Sequence, residues 1–410
     1  ECRHLQNRTV ITYETECGLR ITRTVFIVPA EEGMPEAVEA QRVRIENLTG
    51  RERSIKAVFT GTFGIFDSSG IAGDIVYVNI VHESGVILDE EGKTVALTPC
   101  FYPRGGKRQA RFAMLFSEGE YMDEFCVNYN EFFGSGDLLH PENGAKLSNR
   151  QNRKAAPFFA MAKTVTVPCG KTAVIDSYAG ISTDPVEAFP VLSDTLYNFC
   201  NKYRDPAALE ASFEKLVSFA DSYSSYISLH TQDDMLNSYI SKNLPFQVLY
   251  QSFVTRAFAW TQKGGRMVGF REIQDMYASM YYMNAMGNSD LAKDMISQWA
   301  CNVYEDGYAN HNFYWSGIGA GGASDDQLWL VQAVYRYVLL TGDTAFLDCE
   351  YPVCGSDKKR SLFDTMLSAV TYSGCISVGK HGLPLLDGCD WNDCLCLDDD
   401  CVNGVDKMKL

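Results

Sequence analysis

The chain has 410 residues, too long for one ordinary domain, which points to two or three. Hydrophobic residues make up 46% and charged residues 21%, so there is ample apolar material for a large core, and disordered, collagen-like, coiled-coil and low-complexity classes are excluded. The balance of 36 basic and 52 acidic residues leaves a net charge of −16. Such a field repels nucleic acid and anionic membrane, and favours a neutral ligand or an anion gripped by local arginines. No apolar run approaches the roughly 18 residues of a membrane helix.

The first half reads as β. Residues 10–15, 19–28, 37–46, 54–63, 75–81, 111–116 and 160–167 mix β-branched and alternating polar positions. Turn clusters such as Asn47-Leu48-Thr49-Gly50 and Pro168-Cys169-Gly170-Lys171 separate them. Many short strands with frequent turns predict a large antiparallel sandwich over 1–195, closed by Pro185 to Pro190. A helical linker follows over 196–232: Asp205-Pro206 is a cap with proline at the first helical position, and Leu209, Phe213, Leu216, Ala220 and Tyr223 fall at helical spacing. From 233 to 410 the pattern is helical and aromatic, with helices predicted over 235–253, 273–285, 291–304, 326–340 and 362–372. All five tryptophans lie in this part, and strands followed by helices predict separate domains, the second a helical barrel or bundle.

The 14 cysteines are scattered rather than framed, which predicts reduced thiols in a cytoplasmic protein. Sequons at Asn7 and Asn47 matter only in a secreted one. Residue 1 is Glu, and the last residues carry no terminating pattern. The chain therefore reads as a piece of a longer one, and its lack of a leader says little about location.

Three segments carry chemistry. In 383–393, three carboxylates, Asn392 and Trp391 crowd a stretch of no clear periodicity. An indole ring stacks on the apolar face of a sugar, carboxylates bind its hydroxyls, and a carboxyl pressed against the ring is held towards its protonated form, as a general acid requires. The plain alternative is an Asp-rich turn capping a helix. In 264–275, Arg266, Arg271, Glu272 and Asp275 crowd a glycine-rich loop ahead of a helix. Guanidinium forks suit hydroxyls or phosphate, although a helix start with an ordinary ion pair reads equally well. The run Gly317-Ile318-Gly319-Ala320-Gly321-Gly322 matches the dinucleotide pattern, but no βαβ unit surrounds it, and a loop ending in a Ser or Asp cap is the better account. Cys389, Cys394, Cys396 and Cys401 lack zinc spacing, and Asp398-Asp399-Asp400 lacks a calcium loop's spacing, so no metal is expected.

Together these segments resemble the cellobiose phosphorylase family, the glycoside hydrolase family 94 inverting phosphorylases. The matching residues are Arg266, the run Gly269 to Asp275, Ser324 to Leu330, and His381-Gly382-Leu383-Pro384-Leu385 followed by Asp390-Trp391-Asn392-Asp393. The resemblance implies an N-terminal β supersandwich, a helical linker and an (α/α)6 barrel, of which residues 233–410 would be the first part. It implies Asp393 as general acid and Trp391 as a wall of the sugar subsite, with Arg266, Arg271, Glu272 and Asp326 binding substrate. Inorganic phosphate would be co-substrate, with no cofactor, no membrane partner, and a homodimer in the full-length protein. Glu272 stands where cellobiose phosphorylases usually carry Asp, and Ala320-Gly321-Gly322-Ala323 stands where the family often carries an Arg. The wording is more similar to the 1,2-β-oligoglucan phosphorylase branch. The phosphate contacts would lie past Leu410, so the isolated chain is expected to be inactive. An inverting hydrolase, a cyclic β-1,2-glucan synthase region and a non-catalytic sugar-binding module are the rival readings.

Overall fold

The computed structural model describes residues 1–63, 82–101, 109–151, 158–185, 193–224, 226–247, 249, 270–314, 317–318 and 325–385. The chain divides into two compact units, Glu1–Ala220 and Asp221–Leu410.

The first unit is built on a nine-stranded antiparallel sheet. Its strands are β1 (Cys2–His4), β2 (Arg8–Glu14), β3 (Leu19–Ile27), β4 (Ala37–Asn47), β6 (His82–Leu88), β7 (Thr94–Phe101), β8 (Gln109–Ser117), β9 (Glu120–Tyr121) and β12 (Thr172–Pro185). They run in the order β1-β2-β3-β4-β12-β8-β7-β6, with β9 on β8. A second sheet, in the order β10-β11-β5, joins β5 (Arg53–Thr62), β10 (Glu124–Cys126) and β11 (Phe158–Val167). Side chains alternate between sheet faces. On β8, Ala113 and Leu115 join the core between the sheets with Val43, Ile45, Ile175, Phe159 and Met161. Phe112, Met114 and Phe116 point the other way, to Phe199, Tyr203 and Leu209 on two helices, α2 (Asp194–Tyr203) and α3 (Pro206–Tyr223). Burial on both faces explains the unbroken apolar run of β8. A short helix, α1 (Tyr129–Phe133), covers the outer face of the second sheet through Phe132 and Phe133.

The central strand β12 has no counterpart among the predicted strands. It carries Asp176, Ser177 and Gly180, which break the apolar alternation, and its stability comes from partners far away in sequence. Asp176 is buried and receives a two-pronged contact from Arg42 of β4, Nε to Oδ1 and Nη2 to Oδ2, both 2.8 Å. Arg42 also donates to the Pro206 carbonyl at 2.6 Å and pairs with Glu210, which tie the start of α3 to the sheet. The Asp205 cap is present: its Oδ1 accepts the Ala207 N–H at 2.9 Å. The predicted strand 75–81 lies outside the described residues.

The second unit is helical. Its main helices are α5 (Ile273–Ala285), α6 (Ser289–Ala300), α7 (Asp326–Thr341) and α8 (Leu362–Thr371). Ile273, Met276, Met280 and Met283 form one stripe of α5, and pack with Met295 and Trp299 of α6 and Leu330, Val334 and Tyr337 of α7. The helix predicted over 235–253 begins as expected but is not uniformly α-helical. The structure shows a five-residue α4 (Asp234–Ser238) capped by Asp233, then a π-helical turn over Tyr239–Asn243. Helical backbone resumes over 244–247 and at 249, so the predicted helix is present among the described residues but is interrupted by the π-helical turn; Met235, Leu236 and Tyr239 are exposed. The predicted 291–304 helix ends at Ala300, because Asn302 N–H turns back to the Trp299 carbonyl and Val303 bridges Ala309. Among the described residues, no helix is long and apolar enough to cross a membrane.

Candidate active site

Helix direction places the candidate residues. Tyr277 of α5 lies against Trp329 of α7, with ring centroids 5.1 Å apart. One turn further along α5, the Tyr281 hydroxyl accepts from Arg336 Nη2, further along α7, at 2.8 Å. The two contacts advance together along both helices, so α5 and α7 run parallel. Helix α6 runs against them: Lys293 near its start pairs with Asp343 just past the end of α7, at 2.7 Å. Ser373, just past the end of α8, accepts a 2.5 Å hydrogen bond from Gln327 Nε2 at the start of α7. The starts of α5 and α7 and the ends of α6 and α8 therefore share one end of the unit.

Two of the predicted motif segments, those at 269–275 and 324–330, meet at that end. Strand β13 (Phe270–Glu272) leads directly into α5 and pairs with β14 (Asn312–Tyr314), which pairs in turn with β15 (Gly317–Ile318). The register sets Arg271 opposite Phe313 and Glu272 opposite Asn312. Gly317 and Ile318 thus belong to a small antiparallel sheet, and Asp325 is the residue preceding α7, its Oδ2 accepting from Trp329 Nε1 at 2.9 Å. The His381 motif forms a turn: Val378 bridges Pro384, and Gly379 N–H donates to the Leu383 carbonyl at 2.9 Å. This turn follows π-helical residues Tyr372–Ile376 in sequence. Arg266, Trp391 and Asp393 themselves lie outside the described residues, as do Cys389, Cys394, Cys396 and Cys401.

Asp326 is 1% exposed in the first turn of α7, where the helix dipole favours a carboxylate. Its Oδ1 lies 2.9 Å from Nδ1 of His311, the residue before β14. His311 is not among the predicted site residues. Its partner is fifteen residues away across a loop, and no His-x-x-x-His spacing draws attention to it. The loop leading towards His311 is fixed by Arg360, from the short hairpin of β16 (Glu350–Pro352) and β17 (Lys359–Ser361). Its guanidinium donates to the carbonyls of Val303, Tyr304 and Glu305, and burial draws its proton affinity down.

Two family models match the chain. The glycosyl hydrolase 94 supersandwich domain matches residues 1–196, and the glycosyl hydrolase 94 superfamily catalytic domain matches residues 219–406. The chain belongs to the glycosyl hydrolase 94 superfamily. Among relatives, the cyclic beta-(1,2)-glucan synthase NdvB of Rhizobium meliloti (strain 1021) is 26% identical over 423 residues, covering 95% of this chain and 14% of that protein. The solabiose phosphorylase of Paenibacillus borealis is 28% identical over 203 residues, covering 50% of this chain and 24% of that one. A solved structure of a putative kojibiose phosphorylase from human microbiome aligns with a TM-score of 0.47 and 14% identity, over 83% of this chain and 42% of that one. The chain thus spans less than a quarter of the length of these two curated relatives. All six predicted site residues fall within the segment matched by the glycosyl hydrolase 94 catalytic domain.

Proposed function

We propose that the protein carrying this chain catalyses reversible, inverting phosphorolysis of β-glucosides, with 1,2-β-oligoglucans as substrate, inorganic phosphate as co-substrate and no cofactor. The observation that carries this reading is the meeting of β13, which holds Arg271 and Glu272, with the start of α7, which holds Asp326, at one end of a glycosyl hydrolase 94 catalytic unit. The relative named as a cyclic beta-(1,2)-glucan synthase, aligned along nearly the whole chain, supports the linkage.

Inverting hydrolysis needs one carboxyl as acid and another as base to activate water. Phosphate is already anionic, so one acid suffices. Its oxygen forms the new bond to the anomeric carbon as the glycosidic C–O bond breaks, and Asp393 gives its proton to the leaving oxygen. The products are α-glucose 1-phosphate and a shortened glucan. Trp391 stacks on the sugar, while Arg266, Arg271 and Glu272 bind its hydroxyls. Asp393→Asn in the full-length protein is expected to lower phosphorolysis by about 10²–10⁴-fold. Retained turnover would refute the assignment.

A second reading, a glucan-synthase region, draws on the same relative. Incubation of the full-length protein with 1,2-β-glucooligosaccharides, with and without inorganic phosphate, separates the two. Phosphate-dependent release of glucose 1-phosphate supports the phosphorylase, and cyclic glucan without sugar phosphate supports the synthase.

A further inference from the structure

We propose that the second unit carries a further sugar-binding cleft, at the end opposite the candidate active site, which takes a neutral glucosyl unit of the substrate glucan; the choice of sugar rests on the function proposed above. The cleft measures about 270 Å³ and is lined by Tyr281, Asn284 and Ala285 at the end of α5, Ser289 at the start of α6, and Arg336 and Leu340 towards the end of α7. Its volume is near the lower end of small-molecule sites, which suits about one sugar ring.

Two polar groups of the cleft lack the partners a fold ordinarily supplies. Asn284 Nδ2 donates to the Met280 carbonyl at 3.1 Å, which fixes the amide, while Oδ1 is buried and accepts from no described residue. Acceptors buried in this way are rare in native folds, and an incoming hydroxyl would satisfy this one. Arg336 lies 4.3 Å above the Tyr281 ring and donates from Nη2 to the Tyr281 hydroxyl at 2.8 Å, and that hydroxyl lies 2.9 Å from the hydroxyl of Tyr277. Among the described residues no carboxylate pairs with Arg336, and its guanidinium has five N–H donors, so donors remain for a ligand. The half-exposed Tyr281 ring and Leu340 supply apolar walls. A sugar hydroxyl both donates and accepts, and the ring offers C–H faces to such walls. An anion would answer Arg336 but meet Asn284 Oδ1 with like partial charge, and the net charge of −16 works against it.

The test is hydrogen exchange of the full-length protein titrated with 1,2-β-glucotriose, read in peptides covering 278–290 and 332–342. Protection of both is expected in wild type, with a titration midpoint at least about fivefold higher in Asn284→Ala, which removes the acceptor and keeps a good helix former. The kcat/KM for phosphorolysis of the same sugar should stay within about twofold, since β13 lies at the other end of α5. No protection in wild type, a midpoint shift under about fivefold, or a fall in kcat/KM beyond about twofold overturns the proposal. So does protection by inorganic phosphate alone, which would make the cleft an anion site. If Asn284→Ala does not fold, Arg336→Met, which keeps the apolar stem and removes the donors, is judged by the same shift. If wild type releases no glucose 1-phosphate, the functional reading fails, while the exchange titration still decides the cleft.

Discussion

Replacing Arg42 by Met tests the account of the first unit. The variant keeps an apolar stem but removes the guanidinium that meets Asp176 twice at 2.8 Å and the Pro206 carbonyl at 2.6 Å. Glu210 keeps Arg44 at 2.7 Å, so the uncompensated charge is that of Asp176, whose side chain is 4% exposed. Breaking such a buried pair from one side costs about 3–5 kcal/mol. At about 2–4 °C per kcal/mol for a unit of this size, the midpoint should fall by roughly 6–20 °C. Burial already raises the Asp176 carboxyl above its ordinary value, against the pull of Arg42, and removing Arg42 raises it further. A raised native carboxyl holds its proton more tightly than the unfolded chain does, so its penalty is greatest when ionised and shrinks as pH falls from the raised value towards about 4. The variant's deficit should therefore narrow on acidification. Hydrogen exchange of peptides from β4 and β12 reads this unit separately from the second. A deficit below about 1 kcal/mol at about pH 7, or one that stays constant down to about pH 4.5, would refute the reasoning.

Two further outcomes follow from local geometry. Gly307 has a φ of +99°, and a Cβ there would stand 2.0 Å from the Ser368 carbonyl oxygen of α8, so Gly307→Ala should destabilise the second unit by more than about 2 kcal/mol; tryptophan fluorescence reports this unit, and an unchanged midpoint would show that the loop does not need this approach. Among the thiols, the hydrogen bond with Thr15 lowers the exposed Cys17 while burial pushes Cys200 up to about 12, so timed alkylation read by peptide mass should modify Cys17 well before Cys200, and equal rates would contradict the packing of α2.

The order of the architecture, strands then helices, is readable from the residues alone, because turn clusters and a switch from alternating to helical spacing are local signals. So is the α3 cap, since Asp205-Pro206 acts on its immediate neighbours. The motifs at 269–275, 324–330 and 381–385 are legible as residue types, but nothing local says that β13 and the start of α7 share an end. That follows from α5 and α7 running parallel through the Tyr277–Trp329 and Tyr281–Arg336 contacts. Two features depend on contacts between distant parts of the folded chain. Strand β12 is central because Arg42, 134 residues away, neutralises the charge that makes its sequence look like a loop. His311 lies 2.9 Å from Asp326, fifteen residues away, only because the fold brings β14 and the start of α7 together.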